Sequence, residues 1–275
     1  MYESIDGKLT FSVNNLKARI WNRTTDKNTI EYVTSTLKDL EARSLDNPQN
    51  FTCHHTLEGI DFQDKLITII FNENNQAVAC LASHFPKLHA AYEMMSIGLA
   101  LTDKNYQGKG LFRLLMIHNV LYHFQELLRA NVANELYLIL VSSNKKILGS
   151  YAKIFSSHLC PNINLEPVEG AVVVSHAFYE YDVKKYQGMS ACPNTSVFDI
   201  NTLVVHNAYR EESQSFMYPI EKSDPTNIYG LLLDKLLTEI DDCLYSYSKI
   251  TLNEAKNLQQ QFNNISYVSN LQIRI

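Results

Sequence analysis

The stretch Gln107-Gly-Lys-Gly-Leu-Phe112 decides how the rest of the chain is interpreted. The apolar run from Met94 to Leu101 before it predicts a buried β-strand, and apolar residues recur at helical spacing from Leu111 to about Ala130. A glycine turn between a strand and a helix lets an anion approach the unpaired first amides of the helix. Ordinary turns share this pattern. The loop alone therefore allows two interpretations, an anion-binding loop and a plain strand-to-helix turn.

Two widespread phosphate-binding patterns do not fit this loop. A Walker loop requires Gly-x-x-x-x-Gly-Lys followed by Ser or Thr, and Lys109 does not stand in that arrangement. A dinucleotide fingerprint requires three glycines in Gly-x-Gly-x-x-Gly, and Gly108 and Gly110 have no third partner. Neither a nucleoside-triphosphatase loop nor a dinucleotide-binding loop is predicted.

The segments around the loop predict alternating strands and helices. We expect strands over Leu9–Trp21, Lys65–Phe71, Ala77–Ala82 and Glu135–Val141, the second and third of which form a hairpin. We also expect two helices, one capped by Asp26 and ending near Ser44, the other capped by Ser142-Ser-Asn144 and reaching Phe155. The order strand, glycine loop, helix, strand, helix in the middle of the chain is typical of an α/β unit.

The residues from Leu99 to Leu115 resemble the cofactor motif of the GNAT superfamily of acyl-CoA-dependent N-acyltransferases. That motif is (Gln/Arg)-x-x-Gly-x-(Gly/Ala) between a strand and a long helix, and Gln107 and Gly110 match it. Phe112 stands where a small residue is usual.

A second stretch matches the family in the expected order along the chain. The motif Asn-x-x-Ala-x-x-Leu-Tyr-x-Lys is matched by Asn144, Tyr151 and Lys153, while Ile147 replaces the alanine and the following Gly-Phe is absent. The resemblance covers about residues 9–160. It implies an α/β fold with a GNAT-like mixed, centrally splayed β-sheet flanked by helices, and an acyl-CoA-binding core over residues 1–160.

Residues 161–275 match no family pattern and are assigned from local periodicity alone. We expect them to complete the sheet and to add a helical pair that covers the acceptor side or forms a homodimer surface. The predicted elements are strands over Val172–Tyr181, Val197–His206 and Ile265–Ile275, a helix from Pro225 to Tyr247, and a helix opened by the capping box Thr251–Glu254 and ending near Phe262.

The resemblance also implies roles for particular residues. The backbone of Leu101 and Thr102 would hold the thioester carbonyl and the pantetheine, Asn144 would contact the cofactor, and Tyr151 would protonate the leaving thiolate. The CoA pyrophosphate would be held by the backbone amides of Gln107, Gly108, Lys109, Gly110, Leu111 and Phe112.

The resemblance implies transfer of an acetyl or other short acyl group from acetyl-CoA, or another acyl-CoA, to a small-molecule or protein amine by direct attack. Glu93, at the start of the strand before the loop, is the candidate base, although such a residue is more often an ordinary exposed strand-end carboxylate; His84 and His89 are further candidates. Three tyrosines either line an acceptor pocket or pack on the sheet: Tyr179, Tyr181 and Tyr186. The alternative function is a catalytically inactive acyl-CoA-binding or protein-interaction module.

The composition of the 275 residues narrows the classes of partner. Apolar residues make up 45% and charged residues 19%, so one large or two small domains can bury a core. The net charge of -5 argues against a nucleic-acid-binding protein. No apolar run reaches the ~18 residues of a membrane span. We expect neither nucleic-acid nor membrane partners.

The cysteines indicate the compartment and bear on metal binding. Five cysteines lie far apart without a Cys-x-x-Cys pair, which favours reduced thiols and a cytoplasmic location. Adjacent ligands such as Cys53, His54 and His55 chelate a metal poorly, and no second cluster has ligand spacing. We therefore expect no metal site.

Overall fold

A computed structural model describes residues 5–45, 62–86, 88, 92–155, 159–161, 171–186, 196–208, 228–239, 242–264 and 268–269. The chain forms two compact units. The first contains residues 1–85, 97–136 and 250–275, and the second contains residues 86–96 and 137–249. Each unit is therefore assembled from segments that are separated along the chain.

The first unit is built on antiparallel strands. Its strands are β1 (Ile5–Val13), β2 (Leu16–Asn22), β3 (Lys65–Phe71), β4 (Ala77–His84), the larger part of β5 (Met94–Thr102) and β11 (Val268–Ser269). They are ordered β11-β1-β2-β3-β4-β5, and each pair from β11 to β4 is antiparallel. Its helices are α1 (Lys27–Ser44), α2 (Leu111–Arg129) and α6 (Leu252–Asn263).

Most predicted elements of this unit are confirmed, and one is wrong. Helix α1 begins at the predicted cap, where the Asp26 carboxylate accepts a hydrogen bond from the Thr29 amide at 2.7 Å. The predicted single strand over Leu9–Trp21 is instead a hairpin, which turns at Asn14 with a φ of 51°. Asparagine tolerates this left-handed conformation, so a turn fits within an otherwise strand-like pattern.

Helices cover both faces of the central strands of this unit. Ile67 and Ile69 pack in one apolar cluster with Leu37 of α1. Thr68, whose side chain points to the other face, donates a hydrogen bond to Asn119 Oδ1 of α2 at 2.6 Å. Because these strands are enclosed on both faces, every residue of β3 and β4 is buried, and most of these residues are apolar.

The second unit contains shorter strands and three helices. Its strands are ordered β6 (Glu135–Ser142), β10 (Cys243–Thr251), β9 (Val204–His206) and β8 (Val197–Asp199), and β7 (Leu159–Cys160) also pairs with β10. Its helices are α3 (Lys145–Ile154), α4 (Ala171–Tyr186) and α5 (Ile228–Leu236). Both units combine helices with strands, so the predicted α/β class is confirmed.

Two predictions for the second unit are wrong. The segment Val172–Tyr181 is part of helix α4 rather than a strand. Its valines favour a strand locally, but Val174 and Phe178 are both buried and lie four residues apart, which is helical spacing. Here tertiary burial overrides the local preference.

The second error concerns the helix predicted from Pro225 to Tyr247. Helix α5 ends at Leu236, and Leu244 and Tyr247 belong to strand β10. Every residue from Cys243 to Ser248 is buried. Leu244 and Tyr247 lie three residues apart and continue the apolar spacing of α5, which favours a helix, although the alternation of tyrosine and serine from Tyr245 to Ser248 is typical of a strand.

The C-terminal part shows smaller differences. The predicted strand Val197–His206 is two short strands joined by a turn in which Leu203 has a φ of 59°. The capping box of α6 is confirmed, with Thr251 and Glu254 bonded to each other in both directions. Of the predicted final strand, residues 268–269 are extended, and the rest of it lies outside the described residues.

A buried polar network joins α2 to β3 and β4. Besides accepting from Thr68, the Asn119 side chain donates to Ser83 Oγ at 3.3 Å and to the Leu81 carbonyl at 3.4 Å. His118 lies beside it, with Nδ1 3.2 Å from Asn119 Oδ1, and is completely buried. Burial lowers the pKa of His118 to about 4 because the charged imidazolium is poorly solvated there.

We predict that His118 makes the folded state sensitive to acid. The unfolded chain binds this proton near pH 6.5 and the folded chain only near pH 4, so stability is complete above 6.5 and falls as the pH is lowered. The loss from this group is about 2 kcal/mol at pH 5. Urea unfolding at pH 7.5 and pH 5 measures it. His118→Leu should reduce the difference between the free energies of unfolding at pH 7.5 and pH 5. An unchanged difference would contradict the prediction.

Candidate functional site

The loop between β5 and α2 starts from a tightly bonded residue. Asp103 is 4% exposed, and its amide donates to the Val78 carbonyl of β4 at 2.9 Å. Its carboxylate accepts from the Asn105 amide at 2.9 Å and so caps the short 3₁₀ turn Lys104–Tyr106. The chain therefore leaves the sheet in a defined direction just before the predicted cofactor motif.

Both glycines of the motif have backbone conformations that other residues rarely adopt. The φ angles are 74° at Gly108 and 76° at Gly110. A Cβ placed at either position would have no heavy atom within 4 Å. The backbone here faces open space, so the glycines are required by the chain's conformation rather than by crowding.

The first turn of α2 presents unpaired amides to this open space. Gly110 is the N-terminal cap residue, and no side chain in the described part of the chain caps the helix there. The first helical hydrogen bond runs from the Leu114 amide to the Gly110 carbonyl at 3.1 Å. The amides before Leu114 have no carbonyl of their own helix to bond, and the helix dipole adds positive potential. This geometry suits an anion.

Side chains of the motif also hold the loop in shape. Gln107 Nε2 donates to the Thr102 carbonyl at 3.3 Å, which joins the end of β5 to the start of the motif. The Lys109 ammonium lies 4.5 Å from the centre of the Tyr106 ring. The carbonyl of Thr102 is thus already used within the loop, while Leu101 is buried at the end of the strand.

Arg43 was missed by sequence reasoning. It lies in the last turn of α1, forms an ion pair with Asp103 and donates from Nη2 to the Ala77 carbonyl at 2.8 Å. No local pattern in the sequence identifies Asp103 as the partner of a residue sixty positions away. Only the tertiary fold brings the two together.

In the second unit, Tyr151 is enclosed. Its side chain is 0% exposed, and its hydroxyl donates to the Leu138 carbonyl at 3.4 Å. Burial raises the pKa of Tyr151 well above 10, and a hydrogen bond with Ser248 opposes this effect. The hydroxyl therefore remains protonated.

The other candidates of the second unit are placed as follows. Asn144 caps α3, its side-chain oxygen accepting from the Lys146 amide at 2.9 Å and from the Ile147 amide at 3.2 Å. Glu93 is half-buried, and its carbonyl accepts from the Tyr137 amide at 2.9 Å.

The remaining candidates show packing or lie outside the described residues. The Tyr179 ring stacks on Phe198 with their ring centres 5.1 Å apart, and its hydroxyl donates to the Ser196 carbonyl at 3.1 Å. Tyr179 therefore packs against the sheet. His84 is 7% exposed. His89 and the segment from Cys53 to His55 lie outside the described residues.

Two further findings apply to the residues that the structure describes. Within them, no group of three His, Cys, Asp or Glu side chains is arranged to hold a metal ion. No helix in the same set of residues has the length and apolar character needed to cross a membrane.

The comparisons with known proteins found solved structures only. No family model matches the chain, and no curated protein is significantly similar to it in sequence. The ribosomal-protein-S18-alanine N-acetyltransferase from Escherichia coli is 16% identical, with a TM-score of 0.35, over 50% of this chain and 76% of that chain.

Two other solved structures are similar to parts of the chain. A GNAT-family N-acetyltransferase from Escherichia coli in complex with CoA is 16% identical, with a TM-score of 0.31, over 50% of this chain and 66% of that chain. An aminoglycoside acetyltransferase from an uncultured soil metagenomic sample is 18% identical, with a TM-score of 0.31, over 41% of this chain and 73% of that chain. Similarity at this level assigns neither an activity nor a substrate to this chain.

We predict opposite stability effects for alanine at two uncrowded glycines. Gly108→Ala should destabilise the fold by about 1 kcal/mol, because alanine must then adopt a left-handed φ. Gly149→Ala, within helix α3 and equally uncrowded, should stabilise the fold by up to about 1 kcal/mol. Urea denaturation of both variants measures the two changes. Equal effects of the two substitutions would show that the loop does not hold its left-handed conformation.

Proposed function

We propose that this chain is an N-acyltransferase that moves an acetyl or other short acyl group from CoA to an amine. The observation that carries the proposal is the uncapped start of α2, where Gly108 and Gly110 hold left-handed conformations and leave the first-turn amides open. The matches of Gln107, Gly110, Asn144 and Tyr151 to the two motifs add to it.

The chemistry of the loop suits a diphosphate. Amides from Gln107 to Phe112 offer several donors without a carboxylate among them, and the helix dipole favours negative charge at this end. The exposed Lys109 adds a full positive charge beside the turn. In this proposal the diphosphate of CoA would accept hydrogen bonds from these amides.

The acyl-transfer step needs few groups. The acceptor amine attacks the thioester carbon after losing its proton, and Glu93 is the proposed base. Negative charge then develops on the thioester oxygen, and a backbone amide at the end of β5, near Leu101 and Thr102, would stabilise it. Collapse of this intermediate breaks the carbon–sulfur bond, the thiolate takes a proton, and the amide nitrogen releases its second proton to water. No covalent enzyme intermediate is required.

Tyr151 is the proposed donor of that last proton. A tyrosine carries its proton at neutral pH, as an acid must, and burial raises the pKa of Tyr151 further. Its present hydrogen bond to the Leu138 carbonyl is long, at 3.4 Å, and therefore weak. In the proposal the hydroxyl exchanges this bond for the cofactor sulfur.

A second function is favoured by the same side chain. The hydroxyl of Tyr151 is fully enclosed in this structure. An acyl-CoA-binding module without turnover would retain the loop and have no use for an accessible acid. Binding and turnover must therefore be measured separately.

We predict that acetyl-CoA binds the full chain and raises its melting temperature, because a ligand that binds only the folded state stabilises it. Gly110→Ala should weaken binding by about tenfold, since the altered turn misdirects the amides. Gly149→Ala should leave the dissociation constant unchanged. Titration calorimetry provides the constants. Wild-type protein without measurable affinity for acetyl-CoA would rule out both functions.

We predict that Tyr151→Phe abolishes most turnover while acetyl-CoA still binds. The loss of a general acid lowers kcat by about 10² to 10⁴. A thiol-release assay measures kcat with a panel of acceptor amines. The panel contains protein lysines, free N-termini, polyamines, aminoglycosides and amino acids. Tyr122→Phe, which removes another buried hydroxyl, is the matched control and should retain kcat. Full activity of Tyr151→Phe would exclude it as the acid, and wild-type binding without turnover on any amine would favour the binding module.

A further inference from the structure

We propose that the ion pair between Arg43 and Asp103 positions the glycine loop for CoA, which makes Arg43 a positioning residue for a cofactor that it does not touch. This inference rests on the proposed function and names a residue for it that neither motif contains. All the groups concerned belong to the first unit.

Asp103 connects the loop to the rest of the unit through both carboxylate oxygens. Oδ1 accepts from the Asn105 amide at 2.9 Å, inside the loop, and Oδ2 is paired with Arg43 Nη1 of α1. The backbone of Asp103 is also bonded on both sides, to the Val78 carbonyl at 2.9 Å and from the Tyr106 amide at 2.8 Å. The beginning of the loop therefore has little freedom to move unless this carboxylate moves.

Arg43 holds that carboxylate with a second anchor of its own. Its guanidinium donates from Nη2 to the Ala77 carbonyl at 2.8 Å, at the start of β4, while Nη1 contacts Asp103. A planar guanidinium can make both contacts at once, whereas a lysine ammonium is a single point of charge on a flexible chain. Arg43 thus ties the loop, β4 and the last turn of α1 together.

Charge gives Arg43 a second effect on the site. The Asp103 side chain is 5% exposed and lies four residues before Gln107 in the same loop. A poorly solvated carboxylate without a counter-charge would repel a diphosphate bound nearby, and pairing with Arg43 neutralises it. Loss of Arg43 should therefore both loosen the loop and make it less attractive to an anion.

The geometry distinguishes positioning from simple stabilisation. An ion pair that only ties α1 to the sheet would lower the melting temperature and leave the affinity of the folded protein for acetyl-CoA unchanged. A pair that shapes the loop changes this affinity even when the fold is intact. The affinity and the ligand-free melting temperature must therefore be measured on the same variants.

The test uses the full chain with Arg43→Met, Arg43→Lys, Asp103→Asn and the double variant Arg43→Met with Asp103→Asn. The acetyl-CoA dissociation constant is measured by titration calorimetry at low salt. We expect Arg43→Met to weaken binding by about tenfold and Arg43→Lys to restore part of it. The double variant should bind better than Arg43→Met, because removing the Asp103 charge relieves the repulsion.

The matched control is Val33→Ala, which removes buried methyl groups from the same helix without altering any charge at the loop. It should lower the melting temperature and leave the dissociation constant unchanged. Arg43→Lys and Asp103→Asn keep the test decisive where Arg43→Met does not fold. If the wild-type protein binds acetyl-CoA and the dissociation constants of all folded variants stay within about twofold of the wild-type value, this inference is overturned and the proposed function is not. Absence of wild-type binding would overturn the proposed function and this inference with it.

Discussion

An uncapped helix end must have its amides satisfied by water or by a ligand, and the beginning of α2 is such an end. Two left-handed glycines form the turn before it, and a Cβ at either glycine would meet open space. Their position depends on Asp103, which is bonded to β4, to its own turn and to Arg43. The candidate cofactor site is thus a small group of backbone donors held by one buried carboxylate.

The unit that carries this loop is stabilised differently on its two sides. The side facing α1 is an apolar cluster that includes Trp21 and Leu37, whereas the side facing α2 contains the polar network of Thr68, Ser83 and Asn119. A buried network whose donors and acceptors are mutually satisfied specifies one register of helix against strand. Such a network can hold α2, and with it the loop, in a single position along the sheet.

The second unit contributes the candidate acid and the least predictable part of the fold. Tyr151 is surrounded by the strands and helix that bury it, and this burial both retains its proton and closes access to it. The two effects have one cause, desolvation, but opposite consequences for catalysis. In the proposed acyltransferase the hydroxyl must reach the cofactor sulfur, whereas in the proposed binding module it stays enclosed.

The sequence by itself determined the elements whose signals are local. The caps at Asp26, Asn144 and Thr251, the hairpin of β3 and β4, and the change of period at Leu111 all depend on neighbours within a few residues, and all are confirmed. The tertiary structure alone decided that Val172–Tyr181 is helical and that Leu244 and Tyr247 lie in a strand, because packing against the rest of the fold outweighs the local preference of these segments. It also decided the pairing of Arg43 with Asp103, since side chains sixty residues apart meet only when the sheet has formed.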